Sequence, residues 1–146
     1  MRQDSRLPRV LHALLHLEQM QRPATSEELA QMLGTNSAVV RRTMGGLREA
    51  GFVLSAKGHG GGWTLAKPLK DISLLALYEA LGSPALFAIG PDQGEVHCLL
   101  ARAANEATNA ALAEARAAFV ARLGAVSVGE IVEGWDPGMG PHPLPG

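Results

Sequence analysis

The chain lacks the features expected of an exported or membrane-bound protein. Cys98 is its only cysteine, so an internal disulfide framework is excluded. No run of about 18 apolar residues is present, and the charged start MRQDSRLPRV contains no apolar signal segment. These absences predict a protein of the reducing cytoplasm.

Patterns typical of enzymes are missing as well. The sequence contains no Ser-His-Asp arrangement with a recognisable nucleophile elbow, no paired carboxylates in a defined cleft and no cofactor fingerprint. The glycine-rich stretch 58–62 lacks the Lys-Ser/Thr of a phosphate-binding P-loop. We therefore do not expect enzymatic activity.

Neither sign of charge dominates, since the net charge is −1, yet the charges are unevenly distributed. Residues 1–70 contain ten Lys/Arg and five Asp/Glu, a balance of +5, whereas residues 71–146 contain three and nine, a balance of −6. Chance clustering is one explanation. A basic N-terminal half is also typical of a protein that binds nucleic acid.

Aromatic residues make up only 4% of the chain, although 47% of the residues are hydrophobic. Alanine and leucine must do most of the packing, which favours helices. Apolar spacing predicts a first helix over Pro8–Met20. Thr25 and Glu28 have the spacing of a capping box that opens a second helix through Leu33, and Gly34 suits the turn after it.

A third helix and a hairpin follow. Asn36 is an N-cap candidate for a helix that extends to about Ala50. Phe52–Leu54 and Trp63–Leu65 are predicted strands joined by the glycine-rich loop Ser55–Gly62. Two helices, a tight turn, a third helix and a hairpin make the order of a winged helix-turn-helix.

The second half predicts further helices. Ser73 is expected to cap a short helix over Leu74–Leu81, and Ser127 with Glu130 forms a second capping box. Glu95–Leu123 contains neither Gly nor Pro and predicts one long helix. The fold class is mainly α with a small β-hairpin, divided into a DNA-binding winged helix-turn-helix at 1–70, a helical dimerisation and effector region at 71–133, and a disordered tail at 134–146.

The third helix is the predicted reading helix. Arginine is suited to this position because its planar fork pairs with guanine or clamps a phosphate. Arg41 and Arg42 are the candidates on this helix, and the alternative is that they form a solvated charged face without contact to DNA. His59 on the loop is a further candidate, and the alternative is that it is an exposed loop residue without a role. The predicted DNA-binding residues are Thr25, Ser26, Asn36, Ser37, Ala38, Arg41, Arg42, Lys57 and His59.

Several of these segments together resemble the Rrf2 family of bacterial winged-helix regulators, which includes IscR, NsrR and CymR. The resemblance covers about residues 5–132, and the glycine-aromatic wing followed by Leu-Ala is its most specific part. The segments are Arg6-Leu7, Leu11-His12-Ala13-Leu14, Thr25-Ser26-Glu27-Glu28-Leu29-Ala30, Gly34-Thr35-Asn36, Val39-Val40-Arg41-Arg42, Leu47-Arg48, Ala50-Gly51, Gly60-Gly61-Gly62-Trp63, Leu65-Ala66 and Ser127-Val128-Gly129-Glu130.

The resemblance implies a homodimeric repressor or activator whose long helix forms the dimer interface and whose reading helix and wing contact DNA. Many members bind an iron–sulfur cluster through three cysteines. This chain has only His97-Cys98 in that region, so no cluster is expected and the chain is most similar to the cluster-free branch. The predicted partners are double-stranded DNA with a near-palindromic operator and a second copy of the chain.

Two features leave alternatives open. Cys98 is either a redox-sensitive thiol at the start of the long helix or a buried residue of the dimer interface, with a small molecule as the signal. His12 and His16 are one helical turn apart, which is a possible metal-ligand spacing and also a common packing pattern. For the whole chain, the alternative to a DNA-binding regulator is a winged helix used as a protein-interaction or effector-binding module.

Overall fold

The computed structural model describes residues 3–94 and 97–134. Helices dominate it, with one two-stranded antiparallel sheet, which confirms the predicted fold class. The elements in chain order are α1 (Arg6–Met20), α2 (Ser26–Leu33), α3 (Ser37–Glu49), β1 (Val53–Ala56), β2 (Gly62–Leu65), a 3-10 turn (Leu69–Asp71), α4 (Leu74–Ala80), α5 (Leu99–Ala125) and α6 (Val128–Glu133).

Side-chain caps set the starts of the two helices that form the helix-turn-helix. The Thr25 hydroxyl accepts from the Glu28 N–H at 3.1 Å, and the Glu28 carboxylate accepts from the Thr25 N–H at 3.0 Å. The Asn36 side-chain oxygen accepts from the Val39 N–H at 3.0 Å. Gly34 ends α2 with a φ of 64°. The predicted capping box, turn and N-cap are therefore confirmed.

The hairpin is shifted from its predicted position. Its register runs from Val53 opposite Leu65 to Ala56 opposite Gly62, so Phe52 lies outside β1 and the loop shortens to residues 57–61. The reason is that a strand's limits depend on its partner, not only on its own apolar run.

A third extended segment, which the sequence did not reveal, borders this hairpin. Ala24 forms a bridge with Trp63, donating to its carbonyl oxygen at 3.0 Å and accepting from its N–H at 2.8 Å. This pair of bonds attaches the start of α2 to the wing. The helix-turn-helix and the wing, which together form the predicted DNA surface, are thereby fixed relative to each other.

One hydrophobic core extends across the predicted boundary at residue 70. Val128 at the start of α6 is fully buried in the same cluster as Val10 of α1 and Ile72. The Val128 N–H donates to the Ile72 carbonyl at 2.8 Å, and the Leu74 N–H donates to the Val126 carbonyl at 3.0 Å. The chain therefore returns to the winged helix after α5.

Helix α5 begins later and ends later than predicted. Cys98 has extended backbone angles, so the helix begins at Leu99, and it continues through Gly124 to Ala125. The predicted start, Glu95, lies outside the described residues, as does the predicted tail from residue 135 onward. Absence of Gly and Pro permits a helix but does not determine where it starts.

Helix α5 is also exposed along most of its length. Leu123 is its only buried residue, and Leu99 and Leu100 are 77% and 81% exposed. Of the helices within the described residues, none is both long and apolar enough to cross a membrane.

Candidate nucleic-acid interface

Helix α3 has one apolar face and one basic face. Val40, Met44 and Leu47 are buried in the core, whereas Arg41 and Arg42 are exposed on the outer side. This arrangement follows from the helical period, because residues three or four apart share a face. The second turn of α3 therefore presents two guanidinium groups that are available to a duplex.

The two arginines differ in their surroundings. Arg41 forms an ion pair with Glu27 of α2, with 3.4 Å between its Nη1 and the carboxylate Oε1, and both side chains are more than half exposed. Arg42 has no ion pair within the described ranges 3–94 and 97–134. An exposed pair of this kind is worth only about 0–1 kcal/mol, so Arg41 can exchange Glu27 for a stronger anionic partner.

The wing tip carries two more of the predicted contacts. Lys57 and His59 are both exposed in the loop between β1 and β2. Gly58 and Gly60 flank His59 with φ angles of 89° and 78°. The loop is thus a narrow turn that projects a cation and an imidazole away from the core.

Arg48 is a residue of the site that the sequence analysis missed. Its guanidinium lies 5.7 Å from the centre of the Trp63 ring and donates through Nη1 to the Ser55 hydroxyl at 3.0 Å. The contacts connect the last turn of α3 to both strands of the wing. Arg48 therefore fixes the orientation of the wing relative to the reading helix, and no sequence spacing indicates this.

Three of the predicted DNA contacts have structural roles. Ser26 is only 8% exposed, and its hydroxyl accepts a hydrogen bond from the Trp63 indole N–H at 2.9 Å. We therefore correct its assignment from a DNA contact to a buried link between α2 and β2. Thr25 and Asn36 are exposed, although their side-chain oxygens are used as helix caps.

The N-terminus of α2 carries a second ion pair. Arg22 donates to the Glu28 carboxylate at 3.1 and 3.2 Å. The Arg22 hydrogen bonds and the Thr25 N–H lower the pKa of Glu28 below its usual value. Glu28 is therefore ionised near neutral pH, and the positive charge of Arg22 offsets its negative charge. The pair repels a phosphate less than an isolated carboxylate would.

The close approach of Gly62 to α2 gives a prediction about stability. Gly62 has a φ of 145°, and a Cβ atom there would lie 2.6 Å from the Ala24 carbonyl oxygen. Gly60 has a φ of 78° but open space around it. Gly60→Ala should cost roughly 1–2 kcal/mol of unfolding free energy, and Gly62→Ala should cost more because the Ala24–Trp63 bridge must also shift. Chemical denaturation measures both, and equal costs would contradict the account.

The donor set does not fit a cysteine-ligated iron–sulfur cluster. The chain has one cysteine, and such clusters are usually held by several thiolates. Within the part of the chain that the structure describes, no three His, Cys, Asp or Glu side chains are grouped as metal ligands.

Comparison with known proteins gives a consistent result. The family model described as "Rrf2: Iron-dependent Transcriptional regulator" matches residues 4–134. YwgB of Bacillus subtilis (strain 168), which carries the name of an HTH-type transcriptional regulator, is 32% identical over 108 residues, covering 68% of this chain and 69% of YwgB.

Solved structures show the same fold. A protein described as DNA-binding superimposes with a TM-score of 0.70 at 27% identity, covering 88% of this chain and 99% of that one. CymR, the global cysteine regulator of B. subtilis, superimposes with a TM-score of 0.67 at 17% identity, covering 93% and 99%. The helix-turn-helix, the wing and the long helix are therefore those of a known class, and the chain belongs to the Rrf2 family of transcriptional regulators.

Proposed function

We propose that this protein is a cytoplasmic, sequence-specific DNA-binding repressor that acts as a homodimer on a near-palindromic operator. The observation that carries the proposal is the capped helix α3, whose first turns present Arg41 and Arg42 beside a projecting wing. In a helix-turn-helix the second helix enters the major groove and reads base edges with its N-terminal residues.

The proposed docking assigns a role to the surface groups of α3 and of the wing. Ser37, Ala38 and the two arginines face the major groove, where an arginine fork matches the acceptor pair of guanine. Lys57 enters the adjacent minor groove, whose negative potential is greatest where A·T pairs narrow it. His59 donates to a phosphate at the wing tip.

The proposal is tested with the full-length protein on DNA. A duplex selected from a random pool, or from the region upstream of the protein's own coding sequence, should bind at least a thousandfold more tightly than a scrambled duplex at physiological salt. Fluorescence anisotropy over a range of salt concentrations measures both affinities. Equal affinity for the two duplexes would favour the alternative, a winged helix that binds protein or an effector.

Helix α5 supports the dimer. Its 27 residues include a single buried side chain, so most of its surface is left uncovered by the part of the chain that the structure describes. Leu99 and Leu100 are highly exposed, and Ala103 and Ala107 follow them on the same side. Small side chains allow a second helix to approach closely, and a two-fold axis would place two reading helices about one DNA turn apart.

The exposure of Cys98 favours an oxidant, and not a small-molecule effector, as the signal to which the protein responds. The thiol is exposed at the N-cap of α5, and hydrogen bonds from the Ala101 and Leu100 N–H groups lower its pKa. Attack of the thiolate on a peroxide breaks the O–O bond, leaving a sulfenic acid on Cys98 and releasing hydroxide or water. The added polar group at the N-terminal end of α5, next to the exposed Leu99 and Leu100, would disturb the proposed dimer interface and so change the spacing of the two reading helices.

This assignment predicts a specific loss of DNA affinity. Hydrogen peroxide should weaken operator binding by the wild type, dithiothreitol should restore it, and Cys98→Ser should not respond. Because the pKa is lowered, alkylation by iodoacetamide should remain fast at pH values where an ordinary thiol is protonated. Resistance of Cys98 to alkylation in the native dimer, or an equal response of the serine variant, would rule the thiol out.

A further inference from the structure

Helix α1 carries two histidines away from its buried face. Val10, Leu14 and Leu17 point into the core, whereas His12 is exposed and His16 is half-buried. Their imidazole Nε2 atoms lie 2.9 Å apart, with ring centres separated by 4.6 Å. The two rings share a hydrogen bond and a ring contact, so each satisfies the other, while His12 lies outside the core.

We propose that His12 and His16 form a two-nitrogen site for a divalent transition ion that prefers tetragonal geometry, of the Ni²⁺ or Cu²⁺ class. Metal–nitrogen bonds of about 2.0–2.1 Å separate neighbouring nitrogens by about 2.9 Å at a right angle and about 3.4 Å at the tetrahedral angle. At the 2.9 Å found in α1 the two rings share a hydrogen bond. This separation is also close to the right-angle value, so an ion can replace the shared proton with little change in the distance between the nitrogens. Nitrogen ligands in a tetragonal arrangement are typical of Cu²⁺ and Ni²⁺.

The surroundings leave the pair accessible to an ion, because His12 is exposed and His16 is half-buried. An imidazole ligates through a nitrogen that carries no proton. In the described ranges no third His, Cys, Asp or Glu completes the set, so solvent water fills the remaining coordination positions.

Metal binding at this site should stabilise the folded protein. The two nitrogens are close only when residues 12–16 are helical, because one turn of helix brings positions i and i+4 together. An ion that binds the folded chain and not the unfolded one raises the unfolding midpoint as its concentration rises. Since α1 packs into the core of the winged helix, the bound ion would stabilise the DNA-binding unit.

The test uses NiCl₂ and the full-length protein in a Cys98→Ser background, which removes the thiol as a competing ligand. Isothermal titration should give one Ni²⁺ per chain, and His12→Gln or His16→Gln should weaken binding at least tenfold. The matched control is His59→Gln, an exposed loop histidine, which should leave the affinity unchanged. Ni²⁺ should raise the unfolding midpoint of the parent and the control but not of the two α1 variants.

The result is independent of any DNA measurement. His12 is exposed, so His12→Gln keeps the core intact even if His16→Gln perturbs it. Equal Ni²⁺ affinity in the parent and in His12→Gln would overturn the proposal. So would a tenfold loss of affinity in His59→Gln, which would place the ion on the wing.

Discussion

Replacing Arg41 or Arg42 by alanine is expected to weaken operator binding by ~1–3 kcal/mol for each bidentate base contact that is lost. The physical reason is that the guanine loses the two hydrogen bonds that the arginine guanidinium donates to its acceptor pair. The variant should also discriminate less at that base pair. Anisotropy titrations with the operator and with single-base variants of it measure both effects.

The same experiment separates base contacts from phosphate contacts. An arginine that binds only phosphate would lower affinity evenly for all duplexes and reduce the salt slope by about one unit. Arg116→Ala on α5 is the charge-matched control, because it removes one exposed cation far from the wing in sequence. Unchanged binding by a correctly folded Arg41→Ala/Arg42→Ala protein would remove α3 from the interface.

Ala107→Asp on α5 is expected to convert the dimer into a monomer at micromolar concentration. The proposed two-fold interface would then bury two carboxylates without partners, which costs several kcal/mol. DNA affinity should fall in parallel, because a monomer engages one half-site. Sedimentation velocity measures the assembly, and anisotropy measures the DNA binding.

The control for this prediction is Asn109→Asp. Residue 109 lies nearly opposite residue 107 around the helix, and both positions are exposed in the protomer. The control creates the same charge and should remain a dimer. If Ala107→Asp sediments as the wild type does, or if the wild type is itself monomeric at micromolar concentration, the interface is not on this face.

Point substitution is preferable to truncation for this purpose. The sequence pattern suggests that removing the chain after about Pro91 would leave a soluble monomer, since the winged helix ends near residue 70. The structure shows Val128 buried in the core of that winged helix and hydrogen-bonded to Ile72. Truncation would remove core residues together with the arm, so a loss of DNA binding would not report on dimerisation.

The parts of the fold that the sequence predicted well are determined locally. The Thr25 and Ser127 capping boxes and the Asn36 and Ser73 caps lie within three residues of their partners, and all four are formed. The helices that they open begin where predicted. The start of α5 was misplaced because the sequence has no Ser, Thr, Asp or Asn just before Leu99, and Cys98 occupies the N-cap position.

The parts that were missed depend on residues distant in sequence. The sequence predicts that Ser26 is an exposed polar residue next to a helix cap. Trp63, 37 positions later, covers it and donates a hydrogen bond to its hydroxyl. In the sequence, Arg48 is one more surface cation, and its contact with Trp63 forms only when the hairpin folds back against α3. The Arg41–Glu27 pair likewise joins two helices across the turn. Predicting these contacts requires the tertiary arrangement, which periodicity does not supply.

The central claim is that two α3 helices of one dimer read a near-palindromic operator. Hydroxyl-radical footprinting of the full-length protein on its selected operator tests this most directly. The account predicts two protected segments related by two-fold symmetry, with centres about 10 bp or a multiple of that apart, and loss of both segments in the Arg41→Ala/Arg42→Ala protein. A single protected segment, or a footprint that the double variant leaves unchanged, would contradict it.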